Sequence, residues 1–415
     1  MERSDSIAHA TPGLSFAEPA IATCPFAAYR QLQDSQRVYH DPQTGIYEVL
    51  GAAEIRQAAA DTDTFTCLVS RQHGFDAEMR EAIGRLYEGE GFPMIRTLLN
   101  NEGEDHKRLR GLVDRAFTVP RINALMPAIR AEVDQLMSAC ERQVEIEFME
   151  SFAIPLPLNI IADQLGVSRD DHEAFKAGSD AMIAVSDPLT PRDLVLGHVR
   201  AVIRMQHILA ERIAQVRAEP DDTMLGVVAA LEVDGAPLSI GLLVNLFQNI
   251  LVAGNETTTS ALGNALEYII ADPALAERLR TDPALVRNFV EETLRLRAPL
   301  QGFYRSTARD TELGGVAIPA GATVMLRWGA AGRDAAVYDA PEQLDLDRKA
   351  ITQHMTFGHG VHFCIGNQLA RAELRATFEA ITQRWPNVQL AERPDAIQPL
   401  PAFFAHGPKR MYIKI

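Results

Sequence analysis

Phe357-Gly358-His359-Gly360-Val361-His362-Phe363-Cys364-Ile365-Gly366, followed by Asn367-Gln368-Leu369-Ala370-Arg371, is the stretch on which the reading of this chain turns. Three glycines, at 358, 360 and 366, surround one cysteine, and an Ala/Leu-rich helical pattern begins near 366. A glycine-rich backbone can run close to something flat and bulky because no side chains intervene. A cysteine just before a helix start meets unpaired N–H groups and the positive end of the helix dipole, which stabilise its thiolate. Taken alone, the cysteine reads as a buried thiol beside a turn. The glycine-rich backbone and the stabilised thiolate, in the arrangement Phe-x-x-Gly-x-x-x-Cys-x-Gly, together suit a thiolate ligand to a haem iron.

The loop resembles the haem-binding loop of the cytochrome P-450 superfamily. Four more segments resemble that family in its expected order. His106-Lys107-Arg108-Leu109-Arg110 is similar to the propionate-binding helix. Ala253-Gly254-Asn255-Glu256-Thr257-Thr258 is similar to the oxygen-activating helix, and Glu292-Thr293-Leu294-Arg295 to the Glu-x-x-Arg motif. Arg305, within Phe303-Tyr304-Arg305-Ser306-Thr307-Ala308, resembles a further propionate ligand. The resemblance implies a mainly α fold with a smaller β-rich part, organised as a single domain over residues 1–415. The β-rich part is expected mainly near 36–60, 305–327 and 387–415, and a long central helix over a buried haem b.

Bulk properties agree with a soluble enzyme of the bacterial type. The chain has 415 residues, 47% of them apolar, with no linker, low-complexity stretch or internal repeat dividing it. A formal charge of −15 argues against nucleic acid and acidic membranes as partners. Cys24, Cys67, Cys140 and Cys364 are scattered, without the spacing of a disulfide framework or a zinc site. Met1 to Ala22 is polar and mixed, without an apolar signal core. The longest apolar region, near 240–253, is interrupted by Asn245, Gln248 and Asn249. A cytoplasmic, membrane-free monomer is expected.

Local patterns place the elements. Val38-Tyr39-His40 and Ile46-Tyr47-Glu48-Val49-Leu50 flank turn residues 41–45 and read as a β-hairpin. Residues 121–142 carry Ile122, Leu125, Met126, Ile129, Val133 and Leu136 on one helical face. Residues 192–217 read as a long amphipathic helix, and 239–271 as one helix with Ser239 as N-cap and Pro273 beyond its end. Residues 284–297 and 366–384 are helical, and Glu312 to Arg327 suggests a strand pair around Pro319-Ala320-Gly321. Strand and loop are expected at the C-terminus.

In the long central helix, Gly254 weakens the pattern while Glu256 and Thr257 place an acid and a hydroxyl in mid-helix. A helical Thr hydroxyl can bond back to the preceding turn and bend it. By the resemblance, Ala253 and Gly254 border the haem, Thr257 hydrogen-bonds bound oxygen, and Glu256 relays protons from solvent. Glu stands where the family often has Asp.

Glu292 and Arg295, at i and i+3, share a helix face and can pair. The resemblance makes them a buried pair that locks the helix to the meander before the haem loop, where Arg333 and Asp334 are kept. Gly332 stands where Asn is frequent and Leu344 where Phe is frequent. His106 and Arg110, at i and i+4, point the same way. Two haem propionates need cationic partners when buried, and the resemblance assigns His106, Arg110, Arg305 and His362 to them. Phe357, Gly358 and Gly366 complete the cofactor loop. Cys364 is assigned as axial ligand to the iron, where a thiolate favours O–O cleavage.

By the same resemblance, the substrate pocket draws on the loop 73–99, the central helix, the segment after Pro299 and the C-terminal turn. Its side chains include Phe75, Phe92, Met94, Leu98, Leu251, Leu300, Phe303, Phe403 and Phe404. They suit a hydrophobic small molecule such as a terpenoid, a steroid-like compound, an aromatic or an alkane-like chain. The sequence holds no flavin or iron–sulfur motif, so the resemblance implies electrons from a separate ferredoxin and an NAD(P)H-dependent ferredoxin reductase. Lys107, Arg108, Arg110 and Arg371 are candidates for the ferredoxin's basic docking patch. The expected activity is a haem-thiolate monooxygenase that uses dioxygen to hydroxylate, epoxidise or dealkylate. A peroxide-driven oxygenase, an oxidative coupling enzyme or a non-enzymatic haem-bearing recruitment module is the alternative.

Overall fold

Asp41 shows how a short polar run builds the first hairpin. Its buried carboxylate accepts from the Ser15 hydroxyl (2.8 Å), the Phe16 N–H (3.1 Å) and the Gln43 N–H (2.9 Å). Gly45 follows with φ +69°, a conformation open to glycine at little cost. The turn sets Val38–His40 antiparallel to Tyr47–Val49, with Val38 opposite Val49. This computed structural model describes residues 13–68, 75–186, 190–400 and 405–415. The chain forms two compact units. The first comprises Met1–Cys67, Gly263–Cys364 and Val388–Ile413; the second comprises Leu68–Leu262, Ile365–Asn387 and Lys414–Ile415.

The first unit is built on a five-stranded sheet in the order Val38–His40, Tyr47–Val49, Thr323–Leu326, Phe303–Thr307, Phe65–Thr66. Thr323–Leu326 runs parallel to Tyr47–Val49 and antiparallel to Phe303–Thr307. Val38, Val49, Phe65, Val324 and Leu326 pack with Ile55, Ala58 and Ala59 from the helix Ala52–Ala60, and with Trp328 and Met355. The strand pair expected around Pro319-Ala320-Gly321 takes a different form. Thr311–Leu313 pairs with Val316–Ile318 across Gly314 and Gly315, while Thr323–Leu326 joins the main sheet. Gly314 (φ +57°) and Gly315 (φ +78°) supply two successive left-handed residues, the requirement of a tight two-residue hairpin turn. The Pro-Ala-Gly turn separates two sheets instead of joining two strands of one.

The helix Val286–Leu296 holds the meander and the approach to the cysteine loop through two neighbouring faces. On one, Arg295 and Glu292 are fully buried and bidentate, at 2.6 and 2.8 Å. The remaining Arg295 donors reach the carbonyls of Gly332 (2.7 Å), Pro341 (2.6 Å) and Gln343 (2.9 Å). Glu292 also accepts from Arg348 (3.0 Å) and from the Asp345 N–H (2.9 Å). On the other face, Glu291 meets His354 at 3.0 Å, and the Thr356 hydroxyl donates to the Leu294 carbonyl at 2.7 Å. Arg333 donates to the Leu296 carbonyl (2.9 Å), pairs with Glu342 and lies 3.9 Å over the Phe26 ring. Burial draws the Arg333 pKa down to about 10, which leaves it charged at neutral pH.

A second buried pair has no counterpart in the sequence reading. Arg327 meets Glu48 bidentately at 2.6 and 2.9 Å, and its guanidinium lies 4.4 Å over the Phe16 ring. It ties the outer hairpin to the strand Thr323–Leu326.

In the second unit, the helix Val119–Cys140 packs along Asn367–Arg384, with Arg384 reaching Glu141 (2.6 Å) and Asp134 (3.2 Å). His172–Ser186 packs on Arg192–Ala218. The Ser239 hydroxyl accepts from the Leu242 N–H at 3.2 Å and caps the helix Ile240–Ala271, whose residues up to Leu262 belong to this unit. Among the described residues, no helix is long and apolar enough to cross a membrane.

At Gly332 the sequence departs from the common meander pattern, and the structure gives a reason for a residue without a side chain. A Cβ there would stand 2.2 Å from the Arg295 carbonyl oxygen. Gly332→Ala should cost about 1–3 kcal/mol by overpacking, measured as a lower urea midpoint for unfolding.

Candidate functional site

The cysteine loop lies in the first unit. The Cys364 N–H donates to the Phe357 carbonyl at 2.8 Å and closes the loop, the Phe363 N–H reaches Gly360 (3.0 Å), and the Gly358 N–H reaches Met355 (2.8 Å). Gly358 and Gly360 adopt φ +76° and +73°. A Cβ on Gly360 would come within 2.8 Å of the Ala59 carbonyl oxygen, so the loop backbone lies directly on the helix Ala52–Ala60. Cys364 is half-buried, and the Phe357 and Phe363 rings stand 6.4 Å apart in a tilted arrangement. Phe357 is also half-buried, and Phe363 is 38% exposed. Gly366 caps the helix that begins at Asn367, so Cys364 stands three residues before a helix start.

Close to this loop, the sheet brings together residues that are far apart in sequence. Phe65–Thr66 pairs with Phe303–Thr307, Thr66 opposite Ser306, which carries Cys67 to the level of Arg305. Arg305 is buried, and its Nη1 donates to the Tyr304 carbonyl at 2.8 Å. The Cys67 thiol lies 3.5 Å from His362 Nε2. Sequence reasoning missed Cys67, because nothing in its local pattern signals a neighbour 295 residues away. Phe303 and Leu300 are half-buried in the same unit, and Leu300 forms a bridge with Ala405. Phe403 and Phe404 lie outside the described residues.

The second unit holds the acid, the hydroxyl and the basic helix. The helix Ile240–Ala271 is buried throughout residues 243–251 and 258–266, yet Ala253 and Gly254 are exposed and Val252, Glu256 and Thr257 only half-buried. A Cβ on Gly254 would meet nothing within 4 Å. This open window on an otherwise buried helix suits the edge of a flat group. The chain stays helical here, and the Thr257 hydroxyl donates back to the Ala253 carbonyl at 2.8 Å. Burial raises the Glu256 pKa, the Asp180 charge raises it further, and Lys176 opposes both. Lys176 and Asp180 form their own pair at 2.8 Å on the helix His172–Ser186.

His106 and Arg110 share a face of the helix Gly103–Val113, with His106 buried. Burial and the neighbouring Arg110 charge lower the His106 pKa, and a neutral imidazole there can donate one N–H to an anion. The basic turn is less basic than its composition suggests. Lys107 pairs with Glu104 (3.4 Å), Arg108 with Asp105 (3.3 Å) and Arg110 with Asp114 (2.8 Å). Arg371 donates to Asn367 Oδ1 at 2.9 Å. Phe75, Phe92 and Leu98 are half-buried, Met94 is 43% exposed, and Leu251 is fully buried.

The glycine-lined, half-exposed cysteine loop and the open window on the long helix both fit a flat, thiolate-ligated group such as haem. The Cytochrome P450 family model matches residues 67–415. The vitamin D(3) 25-hydroxylase of Pseudonocardia autotrophica is 36% identical over 309 residues, 74% of this chain and 75% of that protein. The steroid C26-monooxygenase of Mycobacterium tuberculosis is 33% identical over 388 residues, 93% of this chain and 92% of that protein. The crystal structure of CYP109E1 from Bacillus megaterium in complex with testosterone superposes with a TM-score of 0.81 at 27% identity, covering 94% of this chain and 99% of that one. With a cysteine loop, an acid–hydroxyl helix and these relatives in agreement, the chain belongs to the cytochrome P450 family and is a haem-thiolate monooxygenase.

Proposed function

We propose that the protein hydroxylates a bulky hydrophobic small molecule, with Cys364 as the axial thiolate of haem b and electrons from a separate ferredoxin and its NAD(P)H-dependent reductase. The observation that carries this assignment is the closed loop from Phe357 to Cys364, with its two left-handed glycines and half-exposed thiol. Overall, substrate, dioxygen, two electrons and two protons give hydroxylated substrate and water. Bound haem supplies the activation of dioxygen and the insertion of one oxygen atom. His106, Arg110, Arg305 and His362 are the residues that would hold its propionates. Glu256 supplies protons, its raised pKa keeping the carboxyl protonated to a higher pH than an ordinary glutamate. The Thr257 hydroxyl, next in sequence and donating to the Ala253 carbonyl, is the group that would pass a proton on.

The half-buried apolar side chains of Phe75, Phe92, Leu98, Leu300 and Phe303 support a hydrophobic substrate. Two relatives are named for action on a steroid and on vitamin D(3), and a solved relative holds testosterone. Steroid-like molecules are therefore the first class to test. The acid–hydroxyl pair at 256–257 favours an oxygenase fed by external electrons over a peroxide-driven enzyme or a recruitment module, which need neither residue. The Lys107–Arg110 turn carries its own carboxylates, so ferredoxin docking there rests on short-range contacts more than on a field of one sign.

The reduced carbon monoxide complex of the wild-type enzyme should absorb at the strongly red-shifted position of thiolate ligation, and Cys364→Ser should lose that band together with turnover. A histidine-like band in the wild type would overturn the assignment of Cys364.

Thr257→Ala should keep the thiolate band but lower product formed per nicotinamide consumed by about tenfold, within the range expected for loss of a proton-transfer group, with hydrogen peroxide making up the difference. Full coupling in that variant would overturn Thr257 as the group that passes the proton on.

The Glu256 environment gives a signed pH effect. The proton-donating form is lost as pH rises through its raised pKa. Asp180→Asn removes a charge that raises this pKa, so the limb on which turnover falls with pH should move to lower pH. Lys176→Met removes the opposing charge and should move it to higher pH. Superimposable pH profiles for the three enzymes would exclude Glu256 as the group responsible.

A further inference from the structure

Two buried side-chain amides grip one loop of the second unit by its backbone, and a third braces them. Gln206, on the helix Arg192–Ala218, accepts from the Phe92 N–H at 2.9 Å and donates to the Phe92 carbonyl at 3.2 Å. It therefore satisfies both peptide groups of a single residue, as a neighbouring strand would. Asn245, on Ile240–Ala271, donates to the Pro93 carbonyl (3.0 Å) and accepts from the Ile95 N–H (3.2 Å). Gln248 joins the two, accepting from Gln206 (3.2 Å) and donating to Asn245 Oδ1 (3.1 Å) and toward the Met94 sulfur (3.3 Å). One turn further on, Asn249 donates to the Thr97 hydroxyl at 3.1 Å. Gln206, Asn245 and Gln248 are all fully buried.

The approach is close enough to exclude a side chain at the preceding residue. A Cβ on Gly91 would meet Gln206 Oε1 at 2.7 Å and Ile203 Cγ1 at 2.8 Å. Leucines at these helix positions would fill the same space without the desolvation cost of three amides. Apolar contact is non-directional and would leave the loop free to slide. A fully satisfied amide network admits one geometry, since any displacement leaves buried donors and acceptors unmet. The loop 92–97 has no regular secondary structure, so its position depends on these bonds. None of the amides titrates, so the grip is independent of pH, unlike the Glu256 environment.

We propose that Gln206, Gln248 and Asn245 are positioning residues for substrate selection. They latch the loop 92–97 to the two long helices and fix where Phe92 and Met94 stand as a wall of the substrate pocket. The latch sets selectivity for rigid, bulky apolar molecules over slender chains by denying the loop alternative positions. This rests on the assignment, made above, of those side chains to the pocket.

Two variants release the latch by different routes. Gln206→Leu removes the central amide, and Gly91→Ala keeps every amide but pushes Gln206 off Phe92; the second serves if the first fails to fold. In the haem-loaded protein, hydrogen exchange at the Phe92 and Ile95 amides should be slow in the wild type and at least about tenfold faster in either variant. The ratio of dissociation constants for testosterone and palmitate, measured by calorimetry, should shift toward palmitate by about tenfold. The carbon monoxide band should not move. Fast exchange in the wild type would overturn the latch. Faster exchange in the variants with an unchanged binding ratio would reduce it to a purely structural tie and overturn the proposal. A missing thiolate band in the wild type would instead count against the assigned chemistry, while exchange and calorimetry would still report on the latch.

Discussion

A guanidinium with no access to water must find an acceptor for every donor, and Arg295 finds them in three separate stretches of chain. Removing a partner from such a pair strands a buried charge at a cost of about 3–5 kcal/mol. The cost falls on geometry as much as on stability. The carbonyls of Gly332, Pro341 and Gln343 must all point at one group, so the irregular meander takes one path. The adjacent Glu291–His354 contact and the Thr356–Leu294 bond then fix the chain immediately before the cysteine loop. From there the loop needs only the Cys364–Phe357 bond to close. The position of the thiol is thus inherited from a helix some seventy residues earlier in the chain.

Local rules made much of this fold legible. The hairpin at 38–50 has turn residues between two apolar runs, and the long helices have clear periodicity with Ser239 and Pro273 at the ends of one of them. The β pairing past residue 311 was less accessible, because Gly314-Gly315 and Pro319-Ala320-Gly321 are both competent turns. Only the competition of Thr323–Leu326 for two distant strands decides between them. Long-range polar partners were not legible at all. Glu48 sits on an ordinary alternating strand and Arg327 at a strand end, and neither pattern announces a buried pair across 279 residues.

The candidate site divides in the same way. Its chemistry-bearing residues stand out by type and spacing, as with the acid and hydroxyl at 256–257 or the glycines around Cys364. Their surroundings do not. Asn245, Gln248 and Asn249 look in the sequence like interruptions of an apolar helix, whereas in the fold they face a loop 150 residues earlier that is bound through its backbone. A side chain that recognises peptide groups leaves no mark on the residues it recognises. The cationic turn at 107–110 is the converse case: composition suggested a charged patch, and helix geometry supplies each cation with its own carboxylate three or four residues away.

The first unit is discontinuous, and this bears on how the protein is made. Its hairpin strands leave the ribosome long before their parallel neighbour, Thr323–Leu326. Translation at about 5–20 residues per second keeps the outer hairpin waiting for its sheet throughout synthesis of the stretch 68–262. The described residues of that stretch are mainly helical, and such local contacts can begin to form while the hairpin waits. During that interval the strand edge that Thr323–Leu326 will occupy stays open, and Val38 and Val49 have only the helix Ala52–Ala60 to cover them. The hazard of the unfinished fold therefore lies in this hairpin and its unpaired edge, and it lasts until Thr323–Leu326 arrives.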